Sequence, residues 1–355
     1  MPSKLAISSM SLGRCFAGHS LSHKLDMAQK YGYSGVEIFH EDLADLALKL
    51  QGDTQLADPS PEAQLSAAQR IRSMCRARGL DIISLQPLMN YEGLLDRAEH
   101  SRRLPELRLW IALCHELGTD LILVPSNFLS AEHLSDDLDL IAADLREAAD
   151  FGAAAYPPIR FCYESLCWGT HVDVWETSWE IVKRIDRPNF GLCLDTFNIA
   201  GRIFADPSHP SGRNPDAEKV VSESMARLVA EVDPNKVFLV QVVDAERLAE
   251  PLIEGHEYYN AAQPCRMSWS RNCRLFYGEE RAYLPVREIA WAIFNGLGYE
   301  GWTSLELFNR RMSESDPEVP EELARRGVDS WRRLVRDVGI KVAPPTSSVK
   351  ISASL

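Results

Sequence analysis

FCYES (161–165), LCLDTFN (192–198), FLVQVVDAE (238–246) and WTSLELFN (302–309) are four short apolar runs, each carrying a polar side chain able to bind a cation near its end. Those side chains are Glu164, Asp195, Gln241 and Glu306. Apolar runs of this length between polar turns read as strands buried on both faces, the kind found in parallel sheets. A carboxylate where such a strand ends needs something to neutralise it unless it reaches water. Taken singly, each reads as a solvent-facing strand end; four at equivalent positions read as a set. Two Glu, one Asp and one Gln make an oxygen-rich group suited to a hard divalent cation, Mg²⁺ or Mn²⁺.

The chain on either side keeps one cadence. KLAISSMSL (4–12), GVEIFHED (35–42), LDIISLQP (80–87) and TDLILVPSN (119–127) are strand candidates, and helical spacing is expected over 21–33, 61–78, 102–118 and 131–152. The second half continues it, with helices over 173–185 and 325–340 and helical patterns around Val221–Val232 and 286–299. Eight strand–helix units in strict alternation predict a (β/α)8 TIM barrel over 1–342, of the α/β class. A doubly wound open sheet is the alternative, but no Gly-rich phosphate turn follows the first strand. A long connection over 245–284 shows no clear secondary structure and is a candidate lid. The tail from Ala343 is expected to be mobile. In a barrel, function gathers at the C-terminal ends of the strands, which is where the four ligand candidates fall.

With 38 basic and 51 acidic residues the formal charge is −13, and no basic run occurs. That argues against nucleic acid and anionic membranes, since binding phosphate needs clustered Lys and Arg. No signal-peptide pattern or long apolar run is present, and the eight cysteines form no CxxC pair. The expected setting is a reducing cytoplasm, without a zinc–thiolate site. Oligomeric state is not legible.

These residues resemble the xylose-isomerase-like barrels, the sugar-phosphate isomerase/epimerase group. Within it the runs VQVVDAE, MSWSRNCRLFYGE and SLELFNRRMS are most similar to the fungal 3-dehydroshikimate dehydratases of quinate catabolism. The resemblance implies a divalent metal on Glu164, Asp195, Gln241 and Glu306. It also implies conversion of 3-dehydroshikimate, a small anionic carboxylate, to protocatechuate and water. Many relatives carry His where Gln241 stands, and others a His where Leu166 or Asn198 stands, so a catalytic His does not carry over simply. A metal-dependent sugar or inosose isomerase, epimerase or dehydratase on the same barrel is the alternative.

Removing a proton beside the substrate carbonyl needs a base, and the leaving hydroxyl needs an acid. His40 and Glu37, on the second strand, are the candidates, together with the ligands Glu164 and Glu306. For the substrate carboxylate the insert offers Ser270, Arg271 and Arg274, with the resemblance favouring Ser270 and Arg274; a forked guanidinium suits a carboxylate. Gln86, Asn198 and Arg202 are further polar liners, and His256 is a lid candidate.

Overall fold

The computed structural model describes residues 2–52 and 58–342; the expected mobile tail lies outside them. Eight parallel strands close a barrel, taken around the ring in chain order. They are Lys4–Ser8, Gly35–Phe39, Asp81–Gln86, Leu121–Pro125, Arg160–Glu164, Phe190–Asp195, Val237–Gln241 and Trp302–Leu305. The helices pack outside, and the larger apolar core lies between them and the strands. A smaller core of Ala6, Ile83, Leu121, Leu123, Cys162, Cys193 and Leu239 fills the inside of the barrel.

Period-two alternation turns that inner core into a positioning device. The residues two steps beyond Cys162, Cys193 and Leu239 are Glu164, Asp195 and Gln241, so these share the inward face one layer higher. Trp302, Ser304 and Glu306 follow the same step along the eighth run. Gly35 serves the lowest layer: a Cβ there would lie 2.8 Å from the Ile83 side chain and 2.9 Å from that of Trp302. The next inward residue of its strand is Glu37.

One irregularity matters for the site. Val36 pairs with Ile82, but Glu37 pairs with Ser84, so Ile83 is an extra residue in the third strand. This bulge resets the alternation and brings both Ser84 and Gln86 to Glu37.

Helix starts are set by caps rather than by the apolar stripe. Asp96 accepts from the amides of Ala98 and Glu99, so the helix expected from 102 spans Arg97–Leu117. Asp137 likewise starts Leu138–Ala154, leaving Ala131–His133 as a single 3-10 turn. The last helix begins at Val319, with Pro320 in its first turn. Two helices lie within or beyond runs read as strand: His40–Gln51 and Thr196–Ile203. The insert is more ordered than its sequence suggests. It holds a helix, Cys265–Cys273, and a short antiparallel ladder joining Asp244–Ala245 to Arg274–Leu275.

Lys24 and Asp42 form an ion pair with both side chains removed from water. Lys24 Nζ also donates to the Gly13 carbonyl at 2.9 Å, and Asp42 accepts from Ser9 Oγ at 2.7 Å. Lys24→Met is expected to cost about 3–5 kcal/mol, because it strands the Asp42 charge in the interior. Urea unfolding measures this; a loss below about 1 kcal/mol would mean the pair contributes no more than a surface one.

Candidate metal centre and active site

Glu164, Asp195 and Glu306 each offer a carboxylate oxygen within 4.8 Å of the others, and all three are buried. Two close their strands, and Glu306 follows its strand directly. Asp195 does double duty: its Oδ1 caps the helix Thr196–Ile203 by accepting from the Phe197 amide at 2.9 Å. Asn198, one turn into that helix, donates Nδ2 to Glu164 Oε1 at 2.7 Å and to Asp195 Oδ2 at 2.9 Å. Its Oδ1 accepts from the Cys167 amide, which fixes the amide's orientation.

The positive charge opposite this group is Arg274. Its Nη1 lies 2.9 Å from Asp195 Oδ2 and 3.2 Å from Glu306 Oε2, and its Nε donates to Ser270 Oγ at 3.1 Å. The guanidinium is sandwiched between the rings of Phe197 and Phe308, at 4.2 and 4.8 Å. One guanidinium does not balance three carboxylates in a dry place. Burial pushes Glu164 well above the ordinary carboxylate range, and the charges of Glu306 and Asp195 add to it. Burial likewise raises Asp195 and takes Glu306 to about 8, with Arg274 pulling both back down. Such a surplus of negative oxygen donors fits a divalent cation. Gln241 stands beside Asp195 in sheet register and could add a neutral oxygen.

Above these groups opens a cavity of about 560 Å³. Glu164, Glu306, Gln86 and Arg274 form part of its lining, Phe39, Phe308 and Trp168 are aromatic walls, and Arg14, Arg271 and His40 also face it. The insert helix thus supplies Ser270 and Arg271 as a wall of the cavity, while His256 is absent from its lining.

His40 opens the helix His40–Gln51, and its ring stacks on Trp110 at 5.0 Å. Its Nε2 lies 3.1 Å from Gln64 Oε1, while Gln64 Nε2 donates to the Pro59 carbonyl. That second bond orients the amide, so Gln64 can only accept from His40. The imidazole proton therefore sits on Nε2, and Nδ1 is the basic nitrogen. Burial lowers the His40 pKa, which keeps the ring neutral.

A xylose isomerase-like TIM-barrel family model matches residues 25–334. The chain belongs to that family. A Neurospora crassa protein named 3-dehydroshikimate dehydratase is 64% identical over 359 aligned positions, covering all of both chains. A Pseudomonas aeruginosa protein of the same name is 33% identical over 82% of this chain and 36% of its own length. Among solved structures, a xylose isomerase-like TIM barrel/4-hydroxyphenylpyruvate dioxygenase fusion protein superposes with a TM-score of 0.71. It is 27% identical, over 98% of this chain and 47% of that one. No helix among the described residues is long and apolar enough to cross a membrane.

On this family's barrel, the expected ligands Glu164, Asp195 and Glu306 converge, and His40, Gln86, Ser270 and Arg274 line the cavity. Three expected liners or catalysts sit elsewhere. Arg202 points away to pair with Asp173 at 2.7 Å and is 42% exposed, because the helix it closes turns that position outward. Asn198 is absent from the lining and brackets the carboxylates instead. Glu37 is fully buried outside the lining, bound to neutral donors, as the inward alternation of its strand dictates. Gln64 was not foreseen: a glutamine in an amphipathic helix carries no signal until the fold sets it against His40.

Arg274→Met, assayed in chelator, is expected to cost about 3–5 kcal/mol of stability, since it removes the counter-charge while the Phe197–Phe308 slot still accepts an unbranched side chain. An unchanged urea midpoint would show that Arg274 supplies no net counter-charge to Asp195.

Proposed function

We propose that this chain is a hydro-lyase converting 3-dehydroshikimate to protocatechuate and water, with a divalent cation held by Glu164, Asp195, Gln241 and Glu306. The observation that carries the reading is the buried carboxylate triad beneath an arginine-rimmed cavity, in a chain 64% identical over its full length to a protein of that name. The oxygen-only donor set favours Mg²⁺ or Mn²⁺. When bound there, such a cation supplies a Lewis acid for a carbonyl oxygen.

The chain's own residues provide the rest. The substrate carboxylate is drawn to the arginine side of the cavity, where Arg271 and Arg274 stand beside Ser270. An anionic acid suits this rim better than a neutral sugar does, which disfavours the isomerase alternative. His40 Nδ1 accepts the proton next to the carbonyl, with Gln64 holding the tautomer and Trp110 the plane of the ring. The proton taken up by His40 is returned to the departing β-hydroxyl, which leaves as water, and enolisation then completes an aromatic catechol. Phe39, Phe308 and Trp168 keep the cavity wall apolar, which strengthens each charged contact. All eight cysteines are free, consistent with a reducing cytoplasm.

Near-ultraviolet absorbance with 3-dehydroshikimate tests the reading. A catechol spectrum should grow in, stop with EDTA and return with Mg²⁺ or Mn²⁺; no product with metal present would sink the assignment. Glu164→Gln should lower kcat by about 10²–10³-fold. His40→Asn should lower it by about 10²–10⁴-fold. Because burial lowers the His40 pKa, its basic form persists into mild acid, and kcat/KM should fall only below about pH 6.5. An acidic limb above pH 7 would point to a different base.

Burial lifts the Glu306 carboxyl to about 8 against the downward pull of Arg274, so near neutral pH a cation binding there is expected to displace a proton. Calorimetry in buffers of different ionisation enthalpy should show Mn²⁺ binding releasing protons at pH 7 and fewer at pH 9. Equal release at both values would place Glu306 outside the site.

A further inference from the structure

Glu37 is fully buried and lies outside the cavity lining, with its carboxylate oxygens accepting from three side chains. Its Oε2 accepts from Ser84 Oγ at 3.0 Å and from Gln86 Nε2 at 3.1 Å. Gln241 Nε2 reaches both oxygens, at 3.1 and 3.3 Å. Each of these partners is a neutral donor, and two of them are side-chain amides that must choose which end to present.

A carboxylate resolves that choice. An amide turned the other way would set its carbonyl oxygen about 3 Å from a carboxylate oxygen, an acceptor against an acceptor in a dry interior. With Nε2 committed to Glu37, the other end of Gln241 must be oxygen. The Cys193 thiol donates to that oxygen at 3.6 Å, and a carbonyl has a second lone pair. Gln241 ends its strand in register with Asp195, one of the three clustered carboxylates.

We infer that Glu37 is a positioning residue: it locks the Gln241 amide so that oxygen, not nitrogen, is offered to the cation beside Asp195. The inference rests on the metal-site reading above. It assigns Glu37 no contact with substrate, so it replaces the expectation that Glu37 acts as an acid or base. An NH₂ group cannot bind a cation, so an unlocked amide would spend part of its time blocking the site.

Mn²⁺ binding by calorimetry, with no substrate present, separates the possibilities. Glu37→Gln should weaken Mn²⁺ binding by about 10- to 100-fold, the range for groups that orient a ligand. The exchange Glu37→Gln with Gln241→Glu reverses the donor and acceptor while keeping the charge, and position 241 then presents oxygen whichever way it turns. This double variant should recover affinity to within about threefold of the wild type. It also covers the case in which Glu37→Gln alone fails to fold. A Glu37→Gln protein that binds Mn²⁺ like wild type but has lost turnover would overturn the inference and make Glu37 an acid or base. A double variant that folds but stays weak would overturn it too. Wild-type protein that binds no Mn²⁺ would overturn the metal reading itself, an outcome distinct from either.

Discussion

Three buried carboxylates share the barrel mouth with one guanidinium, and most of the neighbouring structure answers that imbalance. Burial raises the proton affinity of Glu164, Asp195 and Glu306, and neighbouring negative charge adds to it at Glu164 and Glu306. Arg274 offsets part of it and is itself held by two aromatic faces and Ser270. Asn198 ties Glu164 to Asp195 with its two amide hydrogens. The remaining deficit of positive charge is what a divalent cation would meet.

Beside the carboxylates stands a group of neutral amides, a hydroxyl and one acid. Ser84, Gln86 and Gln241 all donate to Glu37, which sets the direction of both amides. Such networks are valuable only when complete, because each unpaired member in a low dielectric costs more than a paired one contributes. His40 repeats the device at the cavity wall, with Gln64 pinned by the Pro59 carbonyl and the imidazole tautomer pinned by Gln64. In both places a side-chain amide is held in one orientation by a buried acceptor.

The insert links the two halves of the problem. Its helix brings Ser270 and Arg271 over the cavity, and the residue just after it, Arg274, turns inward to the carboxylates. The two-residue ladder with Asp244–Ala245 anchors that turn next to the end of the seventh strand. A segment without helical or strand periodicity is thereby set by its contacts rather than by its own pattern.

The amino-acid sequence alone determined the barrel and its carboxylates. Apolar runs ending in Glu164, Asp195 and Gln241 can be satisfied only as buried parallel strands, and period-two alternation sends those side chains inward together. It did not determine the places where local signals compete with distant ones. LCLDTFN reads as continuous strand until Asp195 caps a helix, so Asn198 comes back against the carboxylates and Arg202 is turned out to Asp173. The extra residue Ile83 reverses the facing of Ser84 and Gln86, and only pairing with the second strand reveals it. Register, bulges and the direction of a side-chain amide depend on atoms far away in the chain. Those only the tertiary structure brings within hydrogen-bonding distance.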